Sequence, residues 1–443
     1  MDNPTGIPDL VLGYDITNLK EDRILKTKPP LHWAWVILAT CFVNLFVNYS
    51  VRLGYGVVLP EMIRDLGLSR TAGGSIYNAY LFSYILLTPL TGFLTDRIGS
   101  RWVIASCSLI LGSGVIFMGT VRGLLPACLF YALVGIGATG MRTPVITVVQ
   151  RWFARNRRGL ALGILSTGYG LGFASMGVVF PWIVSRFSWR YSWFFLGAGA
   201  LVMVFANSLL LRSDPESTGS LPWGQKETPY HNGAKASVTS EEIRFLRIFR
   251  ANTFWLIGLS YFCIAYSLYG ITTFMVDYAR YQVGLPLSKA SFLATIHGIC
   301  QIVGVLTILP LSDVLGRRRT LIVSNSFIAA CLLGILLSGS SWIMLYVLVG
   351  ILAVFYGVTF PLYGACAGDY FPKEVMGTVI GAWTPFYGVG AILVHWISGM
   401  LRDRTGNYDS AFVISTVMAA LSIALIYAVK KDEKQISMGE HET

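Results

Sequence analysis

Arg52, in Tyr49-Ser-Val-Arg-Leu-Gly-Tyr55, and Arg142, in Gly140-Met-Arg-Thr-Pro144, have the most chemistry to offer, because each stands inside a long apolar run. A charge held at membrane depth costs about 2.5–3.5 kcal/mol on insertion scales and is tolerated where it faces protein or a water-filled cavity. None of the 23 acidic residues falls deep in such a run, Asp277 coming nearest, so no carboxylate of the chain is placed to pair with either arginine. A guanidinium fork binds a carboxylate through two parallel hydrogen bonds. The two arginines therefore point to an anion from outside the chain as their partner. The alternative is that each side chain snorkels towards the surface or bonds to helix carbonyls.

His297 and Gln301, one helical turn apart in a later apolar run, form a polar stripe that could bond a substrate oxygen or, at the histidine, carry a proton near neutral pH. His395 is the other histidine at depth, and packing is the plainer role for both. Tyr77, Tyr80, Tyr266, Tyr269, Tyr356 and Tyr387 are candidate hydroxyls for a cavity wall, although tyrosine also serves as ordinary helix packing. No nucleophile with a neighbouring base, nucleotide-binding loop or metal cluster is legible in the runs, which argues against an enzyme and gives no sign of a cofactor. The seven cysteines all lie in apolar runs and read as small packing residues.

The elements that must position these residues are membrane helices. Of 443 residues 54% are apolar and 13% charged, with a mean hydropathy of +0.61, and about 20 apolar residues suffice to cross the hydrocarbon as a helix. Twelve such segments run at 33–60, 71–94, 102–121, 125–150, 160–184, 190–211, 251–278, 289–311, 320–338, 342–367, 375–400 and 410–429. The net charge of +11 does not indicate nucleic acid, because, of the 34 Lys and Arg, 23 fall on the tails and the loops read as cytoplasmic, 9 on the opposite loops and 2 within spans, as the positive-inside rule expects. This predicts a cytoplasmic tail at 1–32, a first bundle at 33–211, a cytoplasmic linker at 212–250, a second bundle at 251–429 and a cytoplasmic tail at 430–443. Within the linker, 240–250 has a capped start and helical apolar spacing, as an interfacial helix would. The first apolar run is too long, and starts too late, for a cleavable signal peptide. Five glycines in the fifth span, at 163, 168, 170, 172 and 177, indicate close helix packing through small residues.

The halves repeat. Gly92-Phe-Leu-Thr-Asp96-Arg97-Ile-Gly99-Ser-Arg101 is answered by Leu311-Ser-Asp313-Val-Leu-Gly316-Arg317-Arg318, so Asp96 and Asp313, and Gly99 and Gly316, stand 217 positions apart. Glycine allows the tight reversal, and a carboxylate beside a helix N-terminus gains about 0.3–1 kcal/mol in a contact that one conformation can make and another lose. This turn resembles the signature loop of the major facilitator superfamily. The resemblance implies an all-α membrane protein with twelve transmembrane helices in two pseudo-symmetric six-helix bundles, a site between them and rocking of one bundle against the other. In it, Gly92, Asp96, Arg97, Gly99, Arg101, Asp313 and Arg317 would latch the cytoplasmic side.

Trp33-Ala-Trp35 at the first span and Trp152-Phe153, with Arg157-Arg158-Gly-Leu160 opening the fifth, resemble the marks of monocarboxylate porters and oxalate:formate antiporters. That branch implies a carboxylate substrate coupled to a proton or another anion. Its eighth-span arginine and aspartate are replaced here by Val305 and Gln301, and its eleventh-span lysine by Trp383. Arg52, followed by Leu-Gly-Tyr-Gly56-Val57, is similar to the first-span arginine of organic anion:cation symporters. The expectation is a secondary transporter of small organic anions, monocarboxylates foremost, acting as a monomer in the plasma (inner) membrane by proton symport or anion exchange. Arg52 and Arg142 would bind the anion, and His297, Gln301, Tyr266, Tyr269, Tyr356 and Tyr387 would line the site. Its rivals are an efflux carrier of amphipathic or aromatic compounds, and a membrane receptor that binds an anion without moving it.

Overall fold

A computed structural model of the chain describes residues 32–154, 157–225, 249–339, 341–371 and 376–429. The tails and the expected interfacial helix, apart from residues 32, 249 and 250, lie outside the described residues. Twelve spans are present: Trp33–Asp65, Arg70–Ile98, Ser100–Met118, a fourth divided into Leu124–Ala138 and Thr143–Trp152, Arg158–Arg186, Trp189–Leu210, Asn252–Tyr281, Leu287–Leu315, Arg317–Leu337, Trp342–Tyr370, Met376–Thr405 and Asp409–Ala428. Eleven are apolar enough throughout to be read as membrane-crossing by composition. The exception, Arg70–Ile98, carries Ser75, Asn78, Ser83, Thr88, Thr91 and Thr95.

Side chains set where helices begin. The Ser69 hydroxyl accepts from the Ala72 amide at 3.1 Å and opens the second span, satisfying a donor that the helix cannot. Gly99 and Gly316 end the second and eighth spans at φ of 85° and 86°, a conformation that side chains with a Cβ rarely adopt. The repeated turn is thus the same backbone device twice.

Each bundle is held by a polar staple across its first, third and sixth helices. In the first, Asn44 and Asn207 exchange amide hydrogen bonds of 2.6 and 2.9 Å, and Asn207 donates to Ser108 at 2.8 Å. In the second, Asn325 donates to Ser422 at 3.0 Å and to Tyr363 at 3.2 Å, and Tyr363 meets Ser260 at 2.6 Å. Buried polar groups bonded to one another in this way tie the helices of each bundle together, although the Asn325 Oδ1 is left without a partner. Among the described residues the bundles meet chiefly where the first span packs on the seventh, the second on the eleventh and the fifth on the eighth. At the last, a Cβ added to Gly170 would collide with the Gly298 carbonyl, and one added to Gly298 with that of Gly170.

The fourth span breaks beside its arginine. Thr139–Met141 tightens to a 3-10 turn, Arg142 leaves helical geometry at φ −120° and ψ −75°, and the helix restarts with Pro144 in its first turn. Proline has no N–H for the preceding turn and its ring crowds the carbonyl four residues back, so a new helix start is where it fits.

Candidate functional site

Arg52 sits in the first span, 3% exposed, and reaches across to the second bundle. Its Nη2 donates to the Tyr269 hydroxyl at 2.6 Å and the Tyr387 hydroxyl at 2.9 Å, and those two hydroxyls are bonded to each other. The guanidinium also lies 5.3 Å from the ring centre of Tyr84 and 5.7 Å from that of Tyr49. Its Nε is buried without a partner. The sequence offered no carboxylate for this charge, and among the described residues none pairs with it. Two tyrosine oxygens and the surrounding ring faces meet it instead, which corrects the expectation that only a cargo could do so.

Arg142 has a different setting. It is exposed to solvent, yet its charge acts on Tyr84, Tyr49, Tyr169 and Tyr261, residues of the protein interior. Among the described residues no hydrogen bond or ion pair engages its guanidinium, so its charge is met by no group of the protein as directly as that of Arg52 is. Tyr387 and Tyr169 feel both arginines. The two charges therefore lie near the same tyrosines.

The remaining candidates divide. Tyr356 lies close by, with Phe360 between its ring and that of Tyr387 at 5.5 and 5.2 Å. His297 stands behind Tyr356, ring centres 4.7 Å apart, with Phe173 on its other side at 5.3 Å. Both of its ring nitrogens and the Gln301 Oε1 are buried without partners. Tyr266 touches neither arginine, and its hydroxyl is unpartnered. Val305 is half-buried, and Trp383 is buried with its indole donating to the Phe254 carbonyl at 3.0 Å.

Among the described residues, every hydrogen bond or ion pair joining the bundles lies between mid-membrane and the face opposite the chain ends. Glu61 pairs with Arg280 at 2.7 Å and Asp277 with Arg70 at 3.3 Å, while the Tyr408 hydroxyl donates to Asp277 at 2.6 Å. Asp403 accepts from the Arg70 and Thr71 amides at 2.9 and 2.8 Å, capping the second span from the other bundle. His395 completes the seam. Asn78 donates its amide to the Ile392 carbonyl, which turns its oxygen towards His395 Nδ1 at 2.7 Å; that nitrogen therefore carries the proton, and Nε2 accepts from Thr273 at 2.9 Å. Thus His395 is fully satisfied as a packing and sealing residue.

Asp277 lies, as expected, about a turn from the end of its span, whereas Glu61, expected beyond the end of the first span at residue 60, lies within the helix. The first helix runs through Pro60 to Asp65 and buries Glu61, and Asp277 is fully buried, but both pair with gate arginines rather than with Arg52 or Arg142. A signal for them was present. Glu61-x-x-Arg64 and Asp277-x-x-Arg280 repeat at an offset of 216, close to that of the signature turn.

On the face of the chain ends the latch residues stay within their own bundles. Asp96 is 77% exposed, 3.9 Å from Arg151, which bonds Asp214 at 3.0 Å. Arg97 lies over Phe93, Arg101 donates to the Ser208 carbonyl, and Gly92 faces open space. Arg317 joins Asp313 at 2.8 Å and Asp369 at 3.5 Å. The tryptophan marks also converge here: Trp35 packs on Phe153 and Trp223, and Trp152 donates to the Arg212 carbonyl. Among the described residues, hydrogen bonds and ion pairs thus join the bundles towards one face and none joins them at the other.

Two six-helix bundles bonded to each other towards one face only are arranged as in an alternating-access carrier. The family model of the Major Facilitator Superfamily matches residues 41–288 and 257–441, and the chain belongs to that superfamily of transporters. It is 24% identical over 393 residues to a probable sulfoacetate transporter of Cupriavidus necator, covering 86% of this chain and 90% of the relative. To human monocarboxylate transporter 12 it is 25% identical over 451 residues, covering 94% and 85%. A crystal structure of a bacterial homologue of the human lysosomal transporter Spinster, inward-facing and occupied, superposes with a TM-score of 0.67 at 15% identity, covering 88% of this chain and 95% of that one.

Proposed function

We propose that this chain is a secondary transporter of small organic anions, monocarboxylates foremost, working by alternating access as a monomer in the plasma (inner) membrane with both termini in the cytoplasm. The carrying observation is that Arg52 and Arg142 lie near the same tyrosines while the buried carboxylates Glu61 and Asp277 are committed to other arginines. A site with two positive charges and no negative one attracts an anion and repels a cation. Arg142, accessible at the break in its helix, meets the cargo from the open side. Names of relatives, sulfoacetate and monocarboxylate transporters, support an organic acid.

With cytoplasmic termini, this conformation faces inward. Release to the cytoplasm then returns the site to the opposite face, with a proton or a second anion as the coupled species. His297 and Gln301, unpartnered behind Tyr356, would bond the far end of the substrate once Tyr356 moves. The test is uptake into proteoliposomes of labelled lactate, pyruvate, formate, oxalate and aromatic acids, with and without a pH gradient, each against its neutral amide. At least one acid is taken up saturably and its amide fails to compete. Equal competition by acid and amide contradicts the proposal.

A further inference from the structure

We infer that the hydroxyls of Tyr269 and Tyr387 stand in for the cargo's carboxylate when the carrier is empty, so that the binding sites can return across the membrane without a passenger. This rests on the reading of Arg52 as an anion-binding residue. The two oxygens touch each other and are presented side by side to one guanidinium nitrogen, much as a carboxylate presents its pair. Both come from the second bundle, whereas Arg52 belongs to the first. The bonds therefore exist when the face opposite the chain ends is shut and must be broken for the bundles to part there.

The substitution is incomplete, and that is what makes it useful. Both hydroxyls accept from Nη2, and Nε stays buried without a partner. A carboxylate spanning Nη2 and Nε would use both donors and carry the negative charge that a neutral phenol lacks, so it displaces the tyrosines on binding. As cargo leaves, the tyrosines close in behind it. An uncompensated guanidinium carried through an occluded state would otherwise trap the empty carrier and restrict it to exchange. The pair thus lowers affinity on the open side, favouring release, and keeps the returning charge bonded.

Reconstituted wild-type and Tyr269→Phe/Tyr387→Phe proteins decide this through two fluxes of one labelled carboxylate: net uptake into empty vesicles, and exchange into vesicles preloaded with the unlabelled acid. For the wild type the two initial rates lie within severalfold of each other. In the double variant the ratio of exchange to net uptake rises at least tenfold, and each single variant gives a smaller rise. An unchanged ratio, whether both rates fall or neither does, overturns the inference, as does a wild type that exchanges but shows no net uptake. These outcomes leave the anion reading in place. That reading fails separately, if Arg52→Gln supports both fluxes at wild-type rates.

Discussion

Glu61 of the first span and Arg280 of the seventh form an ion pair of 2.7 Å between the bundles, and the reciprocal pair of Asp277 with Arg70 lies beside it on the same face. Both carboxylates are buried and both arginines are partly exposed, so each pair is a closed gate whose charges find water when it opens. Three of the four, Glu61, Asp277 and Arg280, belong to one repeated pattern, an acid and an arginine three positions apart at the end of the first helix of each half; Arg64, its fourth member, pairs with Glu61 in its own helix, and Arg70 takes the partner role towards the second bundle.

Replacing Glu61 by Gln removes the negative charge and leaves Arg280 facing an amide. Breaking a fully buried pair costs about 3–5 kcal/mol; with the Arg280 side chain 20% exposed, a cost of about 1–2 kcal/mol, or roughly a five- to thirtyfold shift in population, is expected here. Spin labels at Arg122 and Ser341, on loops of the two bundles on the gated face, report it as a longer distance population that grows in the variant. An unchanged distance distribution rules out this pair as a gate.

The fifth-span glycines separate two physical roles. Gly170 faces the Gly298 carbonyl with no room for a methyl group, so Gly170→Ala forces the helices apart at a cost of about 1–3 kcal/mol. Gly163 has open space around it, and Gly163→Ala gains about 0.5–1 kcal/mol through the lower entropy cost of fixing the helix. Detergent melting curves should fall for the first substitution and hold or rise for the second. The reverse order contradicts the packing assignment.

Asp96 is largely exposed in this conformation, and its nearest cation, Arg151, is held more closely by Asp214. Asp96→Asn therefore changes the stability of this state by less than about 1 kcal/mol. If Asp96 latches its face shut in another conformation by meeting a helix N-terminus, turnover falls by about two- to fivefold, the equivalent of a 0.3–1 kcal/mol contact. Thermal melting and initial transport rates on one preparation separate the two effects. A loss of stability with unchanged turnover contradicts a latch.

Arg142→Lys keeps the charge and removes the fork. A hydrogen bond to a charged group is worth about 1.5–3 kcal/mol, so the half-saturating concentration of the best substrate should rise at least about tenfold, with a further rise in Arg142→Gln. Equal affinity in wild type, Arg142→Lys and Arg142→Gln would remove Arg142 from the site.

The spans, the pseudo-symmetry and the turns at Gly99 and Gly316 were legible in the sequence because each rests on local pattern: apolar length, glycine at a reversal, a register shared by two halves. Arg52 and Arg142 were legible for a related reason, since a charge inside an apolar run stands out whatever the tertiary structure. What joins them was not. Tyr269 and Tyr387 were named among several candidate tyrosines with nothing to choose between them, because their bond to Arg52 depends on the meeting of the first, seventh and eleventh spans, which no local pattern encodes. The gate was missed through a boundary: ending the first span at Pro60 placed Glu61 outside, although a proline within a membrane helix need not end it when neighbouring helices satisfy the freed backbone groups. His297 stands behind Tyr356, a depth that spacing along one helix does not give.

The central claim is that a guanidinium in the first span holds the cargo's negative charge, and counterflow measures it most directly. Vesicles preloaded with the unlabelled acid, diluted into a trace of label, accumulate label only if the protein binds and reorients the anion. Wild-type protein should show a transient overshoot, and Arg52→Gln, purified with the same monodispersity and melting temperature within a few degrees, should show none. An overshoot of wild-type size in Arg52→Gln would contradict the account.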